Sequence, residues 1–178
     1  MINTTTRRVA ILMLGVYARM ERFVERRALP KFASEAEGFV MQMPRSIVNP
    51  SRITIGRDVK LGSGSVLKCS TTYPGGGWLH HPDGKHVTQT FEPTLTLGDR
   101  VTATASLQVT VFDSVVIEED VMFAANVFIA DGTHAFVDAD IPYKFQGMAE
   151  VAPVRIGRGS WLGTNVVVSP GVTIGEMV

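Results

Sequence analysis

Among the four histidines of this chain, His134 closes the segment Asp131-Gly132-Thr133-His134, while His80, His81 and His86 crowd together after Gly75-Gly76-Gly77 and Trp78. Imidazole, with an ordinary pKa of ~6.5, takes or gives a proton near neutral pH. A histidine at the end of a regular element therefore offers general-base chemistry. Three histidines close together offer zinc ligation, and a catalytic zinc site needs three rigid ligands, an open fourth position and partners that orient the rings. The stretch from Tyr73 to Pro93 is glycine-rich and irregular, which argues against such a site; no metal is expected, and the alternatives left are an exposed loop, a flap over the site and a subunit contact. Cys69, the single cysteine, could serve as a nucleophile. It stands between Leu67 and Thr71 in a regular pattern with no histidine in sequence reach, the setting of a buried, inert thiol.

The elements that must position these residues follow from a six-residue period. Ile156-Gly157, Leu162-Gly163, Val168-Ser169 and Ile174-Gly175 recur at steps of six, with Ser160, Val166 and Val172 four places after three of the starts. The same phase appears at Ile55-Gly56 and Leu61-Gly62, at Leu97-Gly98, and at Ile117-Glu118, Phe123-Ala124 and Ile129-Ala130. One large aliphatic per hexad points inward and a small neighbour permits the turn into the next short strand. Three walls then close a coil of about eighteen residues, and stacked coils pair their backbone groups with the coils above and below. A two-layer sandwich has turns of scattered length and would not hold such a period. The expectation is an all-β solenoid, residues 46–178, interrupted at 73–94 and at 131–153, and breaks in a solenoid are where loops carry function.

Residues 1–45 read as an N-terminal helical segment. Val9, Leu12, Val16, Met20 and Phe23 share a stripe at helical period, with arginine and glutamate opposite. The apolar run from Val9 to Ala18 is too short to span a bilayer, which takes ~20 residues. No small-residue cleavage site follows it, and Arg19, Arg22, Arg26 and Arg27 continue the segment, unlike a secretory signal. The stripe suits packing on the domain or on a neighbouring subunit, or peripheral contact with a membrane surface. Seventeen basic and seventeen acidic side chains cancel, which disfavours nucleic acid as a partner. A lone cysteine suits a reducing compartment, so a cytoplasmic location is expected.

The hexads, together with Leu97 to His134 and the stretch Val154-Arg-Ile-Gly-Arg-Gly-Ser-Trp-Leu-Gly-Thr-Asn-Val-Val-Val-Ser-Pro-Gly-Val-Thr-Ile-Gly175, resemble the hexapeptide-repeat acyltransferases, most of all the sugar O-acetyltransferases of the galactoside and nodulation-factor type. The resemblance implies a left-handed parallel β-helix, a hand that the general right-handed crossover rule would not give. It implies transfer of an acetyl group from acetyl-CoA to a hydroxyl, less readily an amine, of a sugar or other small acceptor, with His134 as general base. It also implies a homotrimer with acetyl-CoA in a groove between subunits, where Trp161, Gly163 and Thr164 match positions along the pantetheine arm. Acceptor contacts would come from Asp131, Asn126, Thr104 and Tyr143, with Gln146 in the same loop as Tyr143.

Two other readings share the fold: a zinc protein like the γ-class carbonic anhydrases, with His81 and His86 five residues apart, and a β-helix scaffold without catalysis. A sugar nucleotidyltransferase is excluded for this chain, because no glycine-rich phosphate loop precedes the coils. The resembled enzymes continue for further coils past Gly175, whereas this sequence stops at Val178, so a C-terminally shortened form with weakened CoA affinity is a further expectation.

Overall fold

The computed structural model describes residues 3–74 and 88–178, with Arg22 and Arg26 described by their backbone alone. His80, His81 and His86 lie outside the described residues. The chain divides into two compact units, Met1–Pro30 and Lys31–Val178.

The first unit is an α-helix, Thr4–Arg27. Its interior of alanine, leucine, methionine, arginine and glutamate has high helix propensity. Asn3 caps it, the side-chain oxygen accepting from the Thr5 N–H at 3.1 Å. At the other end the Ala28 N–H closes the last turn onto the Val24 carbonyl. No helix among the described residues is long and apolar enough to cross a membrane.

The second unit is a parallel β-helix with three faces. The first face stacks Ser34–Glu35, Ile53–Ile55, Thr94–Leu97, Ser114–Ile117, Val154–Ile156 and Thr173–Ile174. The second stacks Val40–Met41, Lys60–Leu61, Thr102–Ala103, Met122–Phe123 and Trp161–Leu162; the third stacks Ser46–Val48, Val66–Cys69, Gln108–Val111, Phe128–Ala130 and Val167–Val168. Every pairing within these faces is parallel, between one coil and the next. The hexad starts form the column: Ile55, Leu61, Leu97, Ile117, Phe123, Ile129 and Ile156 are all buried. Each wall also turns a second residue inward, two places earlier or four places later, as Ile53, Leu95, Val115, Val59, Val101 and Val121 do.

The helical segment expected over residues 1–45 is helix only to Arg27, and Ser34 to Val48 already form the first coil. The hexad phase does run through Glu35, Met41 and Ile47, but a glutamate stands where an aliphatic belongs, so the period fades from view. Phe32 and Phe39, both buried, meet edge to face at 5.5 Å between ring centres near that coil. They cover apolar surface that a bare first coil would leave in water.

The corners differ in kind. Between the first and second faces, Gly38, Asp58, Arg100, Asp120, Gly159 and Met177 all have positive φ, and between the second and third so do Gly64, Ser106, Asn126 and Asn165. From Ile55 onward, one left-handed residue at each of these corners holds the step at six. At the third corner the step varies: Leu97 pairs with Ile117, 20 residues on, but Ile156 with Ile174, 18 residues on. Both insertions leave from this same edge.

Leu97→Ala, in the middle of the column, is expected to lower unfolding free energy by about 2–5 kcal/mol. Val167→Ala, on the outward side of the third face, should cost less than about 1 kcal/mol. Urea denaturation of the two variants checks the inward-outward assignment, and equal losses would contradict it.

Candidate functional site

The two insertions converge at the corner between the third and first faces. The first begins with Thr72–Tyr73, which pairs antiparallel with Gln89–Thr90. The second leaves the coil at Asp131 and returns at Ala152, whose N–H donates to the Asp131 carbonyl at 2.8 Å. Between those points His134 forms an antiparallel bridge with Met148, flanked by bonds from the Ala135 N–H to the Gly147 carbonyl and from the Ala149 N–H to the Thr133 carbonyl.

Gln89 joins the two insertions. Its Oε1 accepts from the Met148 N–H at 2.7 Å and its Nε2 donates to the Met148 carbonyl at 3.1 Å, so one side-chain amide acts as a further strand partner to Met148. Tyr73 makes the second link. Its hydroxyl donates to the Lys144 carbonyl at 3.2 Å, and its ring meets the His134 imidazole edge to face, 5.3 Å between centres. Partial burial pushes the Tyr73 phenol up from its ordinary value. The imidazole of His134 is exposed, and no hydrogen bond reaches it from the described residues. A tyrosine ring therefore restricts it, and among the described residues nothing occupies either ring nitrogen.

Asp131 has a different role from the acceptor contact expected of it. It falls two places after Ile129, the inward position that Cys69 and Val111 fill in the coils below, and it is fully buried. Its Oδ1 accepts from the Phe112 N–H at 2.7 Å and its Oδ2 from the Asp113 N–H at 2.8 Å. Burial pushes its carboxyl up from the usual carboxylate range, while those backbone bonds pull it down. A buried carboxylate occupied in this way fixes the root of the loop and has no oxygen to offer an acceptor. Gly132 follows for steric reasons: a Cβ there would lie 2.8 Å from the Phe112 ring. Burial likewise pushes the Cys69 thiol up to about 11, so it stays protonated and unreactive at neutral pH.

Gln146 is also internal to the loop, its amide donating to the carbonyls of Asp138 and Ile141 and accepting from the Asp138 N–H. Tyr143, on the 3-10 turn Tyr143–Phe145, is exposed. Thr104 and Asn126 do not join His134 within the chain. Both lie at the corner between the second and third faces, with Gly163 and Thr164, because each follows a strand of the second face; Asn126 donates through Nδ2 to Asn165 Oδ1 at 3.3 Å. There Trp161 is 61% exposed beside Met122, its neighbour on the second face. At the same corner, three coils below Gly163, a Cβ on Gly62 would strike the Thr104 carbonyl of the next coil at 1.8 Å, so close stacking requires that glycine.

The expected site residues thus fall on two edges: Asp131, His134 and Tyr143 on one; Thr104, Asn126, Gly163 and Thr164, with Trp161 beside them, on the other. Tyr73, Gln89 and Met148 were not legible as site residues. The only sequence signal for the first two is that they flank the first break in the hexads. Among the described residues no group of three or more histidine, cysteine, aspartate or glutamate side chains could hold a metal ion.

No family model matches the chain. It is 33% identical over 133 residues to the probable acetyltransferase Rv3034c of Mycobacterium tuberculosis, covering 73% of this chain and 43% of that protein. It is 35% identical over 80 residues to the putative acetyltransferase YJL218W of Saccharomyces cerevisiae, 45% of this chain and 39% of that one. To the putative lipopolysaccharide biosynthesis O-acetyl transferase WbbJ of Escherichia coli it is 36% identical over 87 residues, 45% of this chain and 44% of that one. The matched segments span less than half the length of each of these relatives. A solved structure of AntD, an N-acyltransferase from Bacillus cereus in complex with dTDP and 3-hydroxybutyryl-CoA, is 19% identical with a TM-score of 0.45, covering 82% of this chain and 71% of that one. That likeness is too slight to add to the fold the ladders already define.

Gln89→Ala would leave the half-enclosed Met148 N–H and carbonyl without their partner, a loss of about 1–3 kcal/mol in local stability. Hydrogen exchange at the Met148 amide should accelerate accordingly, by roughly 10- to 100-fold. Exchange at the wild-type rate would show that Gln89 does not hold the second insertion.

Proposed function

We propose that the chain is a hexapeptide-repeat acyltransferase that moves an acetyl group from acetyl-CoA to a hydroxyl of a sugar or similar small acceptor, with His134 as general base. The observation that carries the reading is the convergence of both insertions on one exposed imidazole. A hydroxyl is a weak nucleophile at neutral pH. His134 takes its proton as the oxygen attacks the thioester carbonyl, the new carbon–oxygen bond forms, the carbon–sulfur bond breaks, and the imidazolium returns the proton to the leaving thiolate. Tyr73 restricts the ring, and Gln89 fixes Met148, the bridge partner of His134. Tyr143, exposed on the same loop, is placed to touch the acceptor.

Acetyl-CoA, as co-substrate, would run along the other edge. Trp161 and Met122 give an apolar wall, and Gly163 and Thr164 offer backbone and side-chain polar groups at the corner. One chain holds these features and His134 on different edges, so the reading calls for a second copy that brings its edge to the first. A homotrimer, packing flat solenoid sides around a threefold axis, does this three times over.

His134→Ala should lower acetyl transfer by about 10²- to 10⁴-fold while the melting temperature stays within a few degrees, since the exposed ring carries none of the core. A variant retaining more than about a tenth of the wild-type rate would rule out the general-base role. Sedimentation equilibrium should give the mass of three chains. A monomer that transfers acetyl groups at full rate would rule out the shared site.

A further inference from the structure

The helix Thr4–Arg27 presents an apolar face that its own unit leaves uncovered. Val9, Leu12, Met13, Val16, Tyr17, Met20 and Phe23 lie along one stripe and are 46–70% exposed. A monomeric soluble protein seldom leaves so continuous an apolar surface in water. The helix also has a charge of its own. It carries six arginines against two glutamates, a net charge of +4, in a chain whose total is zero, so everything outside it sums to −4. Arg8 and Arg19 border the stripe on one side, and Arg27 stacks its guanidinium over the Phe23 ring at 4.1 Å from the centre.

We propose that this helix lies flat on an anionic lipid bilayer, with the Val9–Phe23 stripe in the headgroup boundary and its arginines on the acidic headgroups. Charge weighs against a second helix as the occupant. A second copy of the helix would bring +4 against +4, whereas an anionic surface meets the arginines with the opposite sign. The dimensions agree: the uninterrupted apolar run from Val9 to Ala18 is half of what a spanning helix needs, and an amphipathic helix with basic residues along its apolar face is the form that rests in the interface. The inference is independent of the reaction proposed above.

The test is co-sedimentation of the full chain with vesicles of phosphatidylcholine alone and of phosphatidylcholine mixed with phosphatidylglycerol, at low and high salt. The wild type should partition about tenfold or more in favour of the anionic vesicles, and high salt should remove most of that preference. The double variant Val16→Glu with Met20→Glu should stay in the supernatant, with circular dichroism showing that the β-helix keeps its fold. The triple variant Arg7→Gln, Arg8→Gln and Arg19→Gln should lose the preference for the anionic lipid. Should a variant fail to fold, the lipid and salt dependence of the wild type still decides. A wild type that remains in the supernatant with both vesicles overturns the proposal. So does self-association without lipid that the glutamate variant abolishes, which would make a second copy the occupant.

Discussion

Everything in the β-helix depends on the parallel ladder between coils. Each strand has its partners one coil below and one coil above, so a strand can exist only where its neighbours keep the same register. Along the faces nothing can be inserted. At two of the three corners the same restriction applies, because a single residue in the left-handed region turns the chain through a fixed six-residue step; glycine, asparagine and aspartate, which adopt that conformation at least cost, fill most of those positions. The third corner keeps that six-residue step only in the last coil, where Gly171 is the left-handed residue. There the coil takes 18 or 20 residues, and there both long segments leave. The position of the chemistry is thus a consequence of where the ladder permits extra chain, and two insertions on one edge necessarily meet.

The meeting point needs an anchor, and Asp131 provides it in an unusual place. The hexad starts are apolar from Ile55 to Ile156, yet at the inward position where the coils below have Cys69 and Val111 this coil has a carboxylate. A buried charge is costly unless hydrogen-bonded, and here both oxygens accept backbone N–H groups from the preceding coil. Those are the amides of Phe112 and Asp113, the two residues that lengthen the corner of that coil. One side chain therefore satisfies the backbone where the ladder is interrupted and sets the direction in which Gly132, Thr133 and His134 depart.

What the sequence made legible follows the same division. Periodicity reveals whatever the ladder enforces, so the solenoid, its inward column and its two breaks could be read from Ile55, Leu97, Ile117 and Ile156. The first coil escaped because Glu35 replaces an aliphatic and the phase can be followed only through Met41 and Ile47. Asp131 was read by type, as a polar residue beside a catalytic histidine; counted in register from Ile129 it falls inside. Gln89 and Tyr73 could not be read at all, since their roles depend on two insertions from different coils meeting, and no spacing within either records that. Thr104 and Asn126 were grouped with His134 because they precede it by coils, but proximity along a solenoid says nothing about which edge a residue occupies.

The separation of edges has a physical consequence of its own. A three-sided solenoid is convex at every corner, and a convex edge cannot by itself enclose a substrate and exclude water from it. His134 stands exposed on one edge, and Trp161 with Gly163 lies in the neighbourhood of another. Enclosure requires a surface to fill the space beyond the edge, and a rigid, straight, repetitive side is best matched by another copy of itself. In such an arrangement the loop from 131 to 153 need only lean across to the neighbouring chain, and its internal bonds, from Gln146 to Asp138 and Ile141 and from Gln89 to Met148, keep it stiff enough to do so. The loop is held in shape from within, so the exposed imidazole of His134 can stand at its outer rim without support from the column.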